Sequence, residues 1–254
     1  MSRMSWRAVL IVGALSASMA FAASEKKEEE GKIDPKADEV LKKMGAYLSG
    51  LKSFRLESET ADEKVTTDGQ KIQELKTSTV TVQRPGNMRV DRVGSMGKST
   101  LRTDGKQASL YNQDKNVYAL GQAPGTLDKV VDELREKFMI DAPGGDFVVS
   151  KPYDELIDGL KTGHYIGLER IDGQMAHHIA VTEKDIDWQI WIADGEMPVP
   201  LRYVITSKDM PSQPEFTIRM SNWEPNVQIS PDTFKFTPPA GAKKIDFAPP
   251  KPTN

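Results

Sequence analysis

The sequence predicts an α+β fold, a single curled antiparallel β-sheet of about eleven strands that forms an open half-barrel, with about three helices on its concave face. Three observations carry this. Apolar residues recur at a period of two through two long blocks, residues 53–122 and 164–223. Asp-Gly pairs at 68–69, 104–105, 172–173 and 194–195 supply the positive φ angles of tight hairpins, so successive strands run antiparallel. Three segments carry one apolar stripe each at helical spacing, and a sheet this wide curls and needs such a cover.

The elements follow in order. Residues 1–22 read as a signal peptide: Arg3 and Arg7 precede an apolar run of about 14 residues, too short to span a bilayer comfortably, which ends with Ala20 and Ala22. Residues 23–34, including "SEKKEEEGKID", are almost all charge and read as a flexible tether. Ala37, Val40, Leu41, Met44, Tyr47, Leu48 and Leu51 form the stripe of a helix over 35–50, with Asp34-Pro35 as its start. Strands are expected at 54–64, 71–83, 87–94, 98–103, 107–112 and 117–121. Leu127, Val130, Val131, Leu134 and Phe138 mark a helix over 126–139, and Leu156, Ile157 and Leu160 another over 152–161, with a "DAPGGD" loop between them. Strands return at 164–171, 174–182, 188–193, 201–207 and 214–223, and 35–247 reads as one domain before a Pro-rich tail, 248–254.

Several chemistries find no support in these residues. The chain has no cysteine, which removes disulfides, thiol nucleophiles, cysteine–zinc sites and a lipid anchor on cysteine. The formal net charge of -3 is slight, no basic stripe marks a nucleic-acid partner, and no segment after the signal peptide is apolar enough to cross a membrane. His177 and His178 are adjacent on a strand, so they point to opposite faces, and no metal-binding spacing links them to His164. No nucleophile elbow, Walker loop or dinucleotide fingerprint occurs, so neither a catalytic residue nor a cofactor is assigned.

Two stretches suggest binding. In "TVQRPGNMRVDRV", 79–91, Val80 and Val82 share a face that stops at Arg84-Pro85. In "WQIWIADGEMPVPLRYVIT", 188–206, Trp188, Ile190 and Ile192 share one face and Trp191 lies on the other. Those residues read equally as core or as the lining of an apolar pocket.

Four segments, "LSGLKSFRLESE", "VTVQRPGNMRVD", "STLRTDGKQASLYNQDKNVYAL" and "SPDTFKFTPPAGAKKID", resemble in order and spacing the LolA-type periplasmic carriers of outer-membrane lipoproteins. That superfamily includes LolB and the N-terminal domain of RseB, and the chain looks closest to a group of predicted periplasmic proteins with this fold and no assigned activity. The resemblance implies a half-barrel whose hollow takes a lipid or an acylated protein, with Val80, Val82, Met88, Trp188, Ile190 and Ile192 as lining. It places Arg84 at the rim, donating to backbone carbonyls of a helical lid or to a ligand head group; a surface arginine paired with a carboxylate is the other reading. The expected function is therefore an exported, periplasmic, non-enzymatic lipid-binding protein, with an RseB-like protein-interaction or sensor module as the alternative.

Overall fold

The computed structural model describes residues 31–136 and 144–246. The expected signal peptide, residues 23–30 of the tether, the helix end at 137–139, the first part of the Gly-rich loop and the Pro-rich tail lie outside the described residues.

In chain order the elements are β1 (Lys32–Ile33), α1 (Pro35–Gly50), β2 (Ser53–Val65), β3 (Lys71–Gln83), β4 (Asn87–Gly94), β5 (Gly97–Asp104), β6 (Gln107–Asn112) and β7 (Val117–Gln122). Then come α2 (Leu127–Glu136), a 3₁₀ turn (Gly145–Phe147), α3 (Pro152–Ile157), β8 (Thr162–Ile171), β9 (Gln174–Thr182), β10 (Ile186–Ala193), β11 (Pro200–Ser207), β12 (Glu215–Pro225), a second 3₁₀ turn (Pro231–Thr233) and β13 (Lys243–Lys244). All strands join one unclosed 13-stranded sheet, ordered β1-β8-β9-β10-β11-β12-β2-β3-β4-β5-β6-β7-β13. The β12–β2 pairing welds the two hairpin blocks into one surface.

Eleven of these strands are those that the alternation predicts. The other two, β1 and β13, are two-residue edge pieces that pair in parallel with β8 and β7. β1 falls inside the segment expected as tether. α3 corrects the helix expected over 152–161: it stops at Ile157, because Asp158 is extended and Gly159 takes φ 80°, a left-handed angle that ends a helix cheaply only at glycine. Pro200 opens β11 opposite a register shift in β10 between Trp191 and Ile192, the irregular pairing that its missing N–H demands.

The three helices lie over the concave face. α1 buries Ala37, Val40, Leu41, Met44 and Leu48, the predicted stripe. Gly45, an unfavourable residue in mid-helix, sits where a Cβ would come within 2.7 Å of Tyr153 Cβ, so its absence lets α1 and α3 touch. The Asp34 side chain does not cap its own helix; it accepts from the Tyr165 backbone N–H at 3.0 Å and ties the helix start to β8. On the convex side the C-terminal segment folds back over β5–β7, where Phe236 packs on Tyr111 and Tyr118 and Arg102 lies 6.0 Å from its ring centre.

Candidate functional site

Inward-facing residues can be followed in rows across the sheet, because the antiparallel registers are continuous from β2 to β7. The row nearest the helices is Phe54, Val82, Met88 and Thr103; the next is Leu56, Val80, Val90, Leu101 and Leu110. Across β9–β11 the inward set is Ile179, Val181, Trp188, Ile190, Ile192 and Tyr203.

The expected lining residues fall into two groups. Val82, Met88, Trp188, Ile190 and Ile192 are buried, none more than 5% exposed, and belong to one continuous core with α1 and α2. Val80 is half-buried at the edge of that core, as are Val90 and Leu101 beside it. Side chains of the chain itself therefore occupy the space over Trp188, Ile190 and Ile192. Phe147 supplies much of that filling. It is 1% exposed and meets Tyr203 edge-on at 5.4 Å, and Tyr203 meets Trp188 at 5.7 Å. Val148 and Val149 are buried beside it. Residues 144–150 thus form an apolar plug, entered through Gly144 at φ 85°.

Side chains of Arg84, Asp128, Arg135 and Ser49 tie the plug in place, Ser49 Oγ donating to Ser150 O at 3.0 Å. Arg84 Nη1 donates to Val148 O at 2.7 Å and Nη2 to Leu48 O at 3.4 Å, so one guanidinium joins the end of the β3 face, the plug and the last turn of α1. Its Nε is buried and finds no partner. Burial pushes the Arg84 guanidinium down from its ordinary pKa, against an upward pull from Asp128. Asp128, in the first turn of α2, accepts from Ser150 Oγ at 2.6 Å and Ser150 N at 3.1 Å. Burial raises its pKa, but the Ser150 donors and Arg84 outweigh that and hold the carboxyl below its usual range. Arg135 Nη2 donates to Asp146 Oδ1 at 2.7 Å.

Backbone contacts position this node. Leu127 N donates to Pro85 O at 2.8 Å, docking the start of α2 on the β3–β4 turn. Gly86 packs so tightly there that a Cβ would sit 2.3 Å from Gly125 O. Beside it opens a cavity of about 420 Å³ lined by Ser49, Leu51, Lys52, Gln83, Arg84 and Asn87. A smaller apolar gap of about 40 Å³ lies between α2 and β5–β7. Arg84 thus has backbone carbonyls of the plug and of α1 for partners. Sequence reasoning missed Phe147, Val148, Asp128 and Ser150. The signal was Phe-Val-Val directly after Gly-Gly-Asp, an apolar run where a solvated loop would carry none.

The histidines point to opposite faces. His177 lies inward between Tyr165 Oη at 2.9 Å and Asp194 Oδ1 at 3.1 Å. His178 lies outward, stacked on Trp191 with ring centres 4.0 Å apart, and contacts Glu169 and Gln189. Trp191 also donates to Glu169 at 2.9 Å and carries Arg202 at 5.3 Å, so its indole is already engaged. Among the described residues no group of three His, Cys, Asp or Glu side chains could hold a metal ion, and no helix is long and apolar enough to cross a membrane.

The sequence model of a family described as "Predicted periplasmic protein (DUF2092)" matches residues 37–248. No curated protein matches the chain. Among solved structures, the Mycobacterium tuberculosis lipoprotein LppX shares the fold: 16% identity, TM-score 0.51, with 78% of this chain and 100% of that one covered. An uncharacterised conserved protein from Thermus thermophilus is 13% identical over 83% of this chain and 99% of its own, with TM-score 0.49. A LolA superfamily protein from Nitrosomonas europaea is 12% identical over 79% and 97%, with TM-score 0.41.

Proposed function

The chain belongs to the DUF2092 family of predicted periplasmic proteins, and from that premise we propose that it is a non-enzymatic protein that takes a lipid or an acylated partner onto the concave face of its half-barrel. One observation carries the reading. Part of the apolar surface of the sheet is covered by a short irregular segment, residues 144–150, rather than by a helix, and Arg84 at the end of the β3 face donates to its Val148 carbonyl.

In this reading the described state is the closed one. Val80, with Val90 and Leu101, offers apolar surface at once. Displacing Phe147 and Val148 then exposes Val82, Met88, Trp188, Ile190 and Ile192 to the guest. Arg84, freed from Val148, becomes a donor for the guest's polar end. Burying one methylene contributes roughly 0.8 kcal/mol, so a sixteen-carbon chain supplies on the order of 10 kcal/mol gross, enough to offset release of the plug. The family's description as predicted periplasmic agrees with a guest drawn from the cell envelope.

The test is native mass spectrometry of protein purified from its own envelope, followed by organic extraction. Bound lipid or a co-purifying acylated protein is the expected result. Protein that emerges ligand-free and takes up no lipid from vesicles sinks the reading. A recurrent non-acylated protein partner without lipid replaces it with an interaction module.

A further inference from the structure

One row beyond Val80, Val90 and Leu101 the concave face changes character. Cross-strand registers place Ser58 beside Ser78, Ser78 beside Arg92, Arg92 beside Ser99 and Ser99 beside Asn112. The parity is fixed from the other side, since Asp91 and Thr100 face outward, where Asp91 takes Arg89 at 2.7 Å and Thr100 at 2.8 Å. Arg92 therefore points into the concavity, in the middle of a row of small neutral polar groups, directly above an apolar row.

Arg92 is unlike its neighbours. Arg89 is paired with Asp91, and Arg102 packs over Phe236. Lys76, in the next row out, pairs with Asp62 and Glu74 at 3.6 and 3.5 Å. Arg92 has no carboxylate within ion-pair distance and no hydrogen-bond partner among the described residues. Its side chain is open to solvent, yet surrounding protein displaces enough water to push its pKa below the ordinary value, and no nearby charge enters. A cation kept there uncompensated costs free energy, which a ligand anion would return.

We propose that Arg92, flanked by Ser78 and Ser99, is the head-group site of the concave face, and that the guest is an anionic lipid whose acyl chain lies along the Val80–Val90–Leu101–Leu110 row. The proposal rests on the lipid-binding reading above and adds the charge of the guest. The dimensions agree. From β3 to β6 that row crosses three strand spacings of about 4.8 Å, or roughly 14 Å, against about 15 Å for a chain filling half of a ~30 Å hydrocarbon core. Guanidinium and flanking hydroxyls match phosphate oxygens in donor number and kind, and an unpaired cation there favours a head group of net negative charge over a zwitterionic one whose choline cancels the phosphate.

The experiment incubates the purified full chain with vesicles of phosphatidylglycerol or of phosphatidylcholine, reisolates the protein and quantifies bound lipid by mass spectrometry. Wild type should take phosphatidylglycerol in preference, by about tenfold, the value of one charge-assisted contact. Arg92→Gln should lose that preference and keep the phosphatidylcholine level, and Arg92→Lys should keep part of it. Circular dichroism confirms that the variants fold. Equal uptake of both lipids by wild type, or an undiminished preference in Arg92→Gln, overturns the head-group site and leaves lipid binding standing. Uptake of neither lipid overturns both. Saturable binding of inorganic phosphate that needs Arg92, without lipid uptake, overturns the assignment to a lipid.

Discussion

The two halves of the concave face are built from the same antiparallel strands and finished in opposite ways. Over β9–β11 the inward residues are large and fully covered: Trp188, Ile190, Ile192 and Tyr203 are each no more than 1% exposed, and Phe147 of the plug packs on Tyr203. Over β3–β6 the first row, Val82, Met88 and Thr103, is buried too, but the second, Val80, Val90 and Leu101, is half-buried and gives way to Ser78, Arg92 and Ser99. Sheet geometry does not impose this difference, because both halves alternate alike. The connection between β7 and β8 serves both halves: Phe147 packs on Tyr203 of β11, while Val130 and Leu134 of α2 face Leu101 and Thr103 of β5. How deeply each row of a curled sheet is buried therefore depends on what its longest connection lays over it.

Truncation on either side breaks the comparison most sharply. Trp188→Ala removes a fully buried indole whose N–H also donates to Glu183 at 2.7 Å, and should cost about 3–5 kcal/mol in chemical denaturation. Val90→Ala, at a half-open position, should cost about 1 kcal/mol or less. Equal losses would mean that the β3–β6 half is packed as tightly as the other, and the contrast would fall.

The next largest effect concerns the plug. Arg84→Met keeps the aliphatic stem and removes both donations, to Val148 O and Leu48 O. Hydrogen bonds from a charged group contribute about 1.5–3 kcal/mol, so the variant should lose roughly that and show faster amide exchange in residues 145–150. Exchange that stays slow there would show that packing and the Asp128 and Arg135 contacts hold the plug without Arg84.

Much of this architecture is legible in the sequence. β3, β4, β6 and β9 begin and end where alternation and turn residues place them, because each of those signals is local. β1 and β13 are invisible, since two residues cannot show a period and parallel edge pairing depends on a distant strand. That Arg84 ends the β3 face is legible because proline follows it. The plug is not, because an irregular segment betrays its burial only through Phe147 and its valines. Arg92 is intermediate: its side of the strand can be counted from Val90, while its lack of a partner depends on the register of five strands at once.

Acidity offers a smaller and independent handle on the plug. The Asp128 carboxyl is held below its usual range, so its tie to Ser150 is fully present above the unfolded-state pKa near 4 and is lost as pH falls through the lower folded value. Asp128→Asn should cost about 1 kcal/mol at neutral pH and flatten the acid limb of stability below about pH 4. An unchanged acid limb would assign the tie to Ser150 no role in closure.

The smallest expected effect separates binding from stability most cleanly. Arg92 contributes no ion pair or hydrogen bond to the fold among the described residues, so Arg92→Gln should shift unfolding free energy by no more than about 0.5 kcal/mol, and a slight gain is consistent with removing a crowded, unpaired cation. Arg84→Met, by contrast, should alter stability and plug exchange together. If Arg92→Gln destabilises as much as Arg84→Met, then Arg92 braces the sheet, and the open half is scaffold like the half beneath the plug. If it leaves the fold untouched while changing which lipid is retained, the two arginines divide the concave face between closure and recognition.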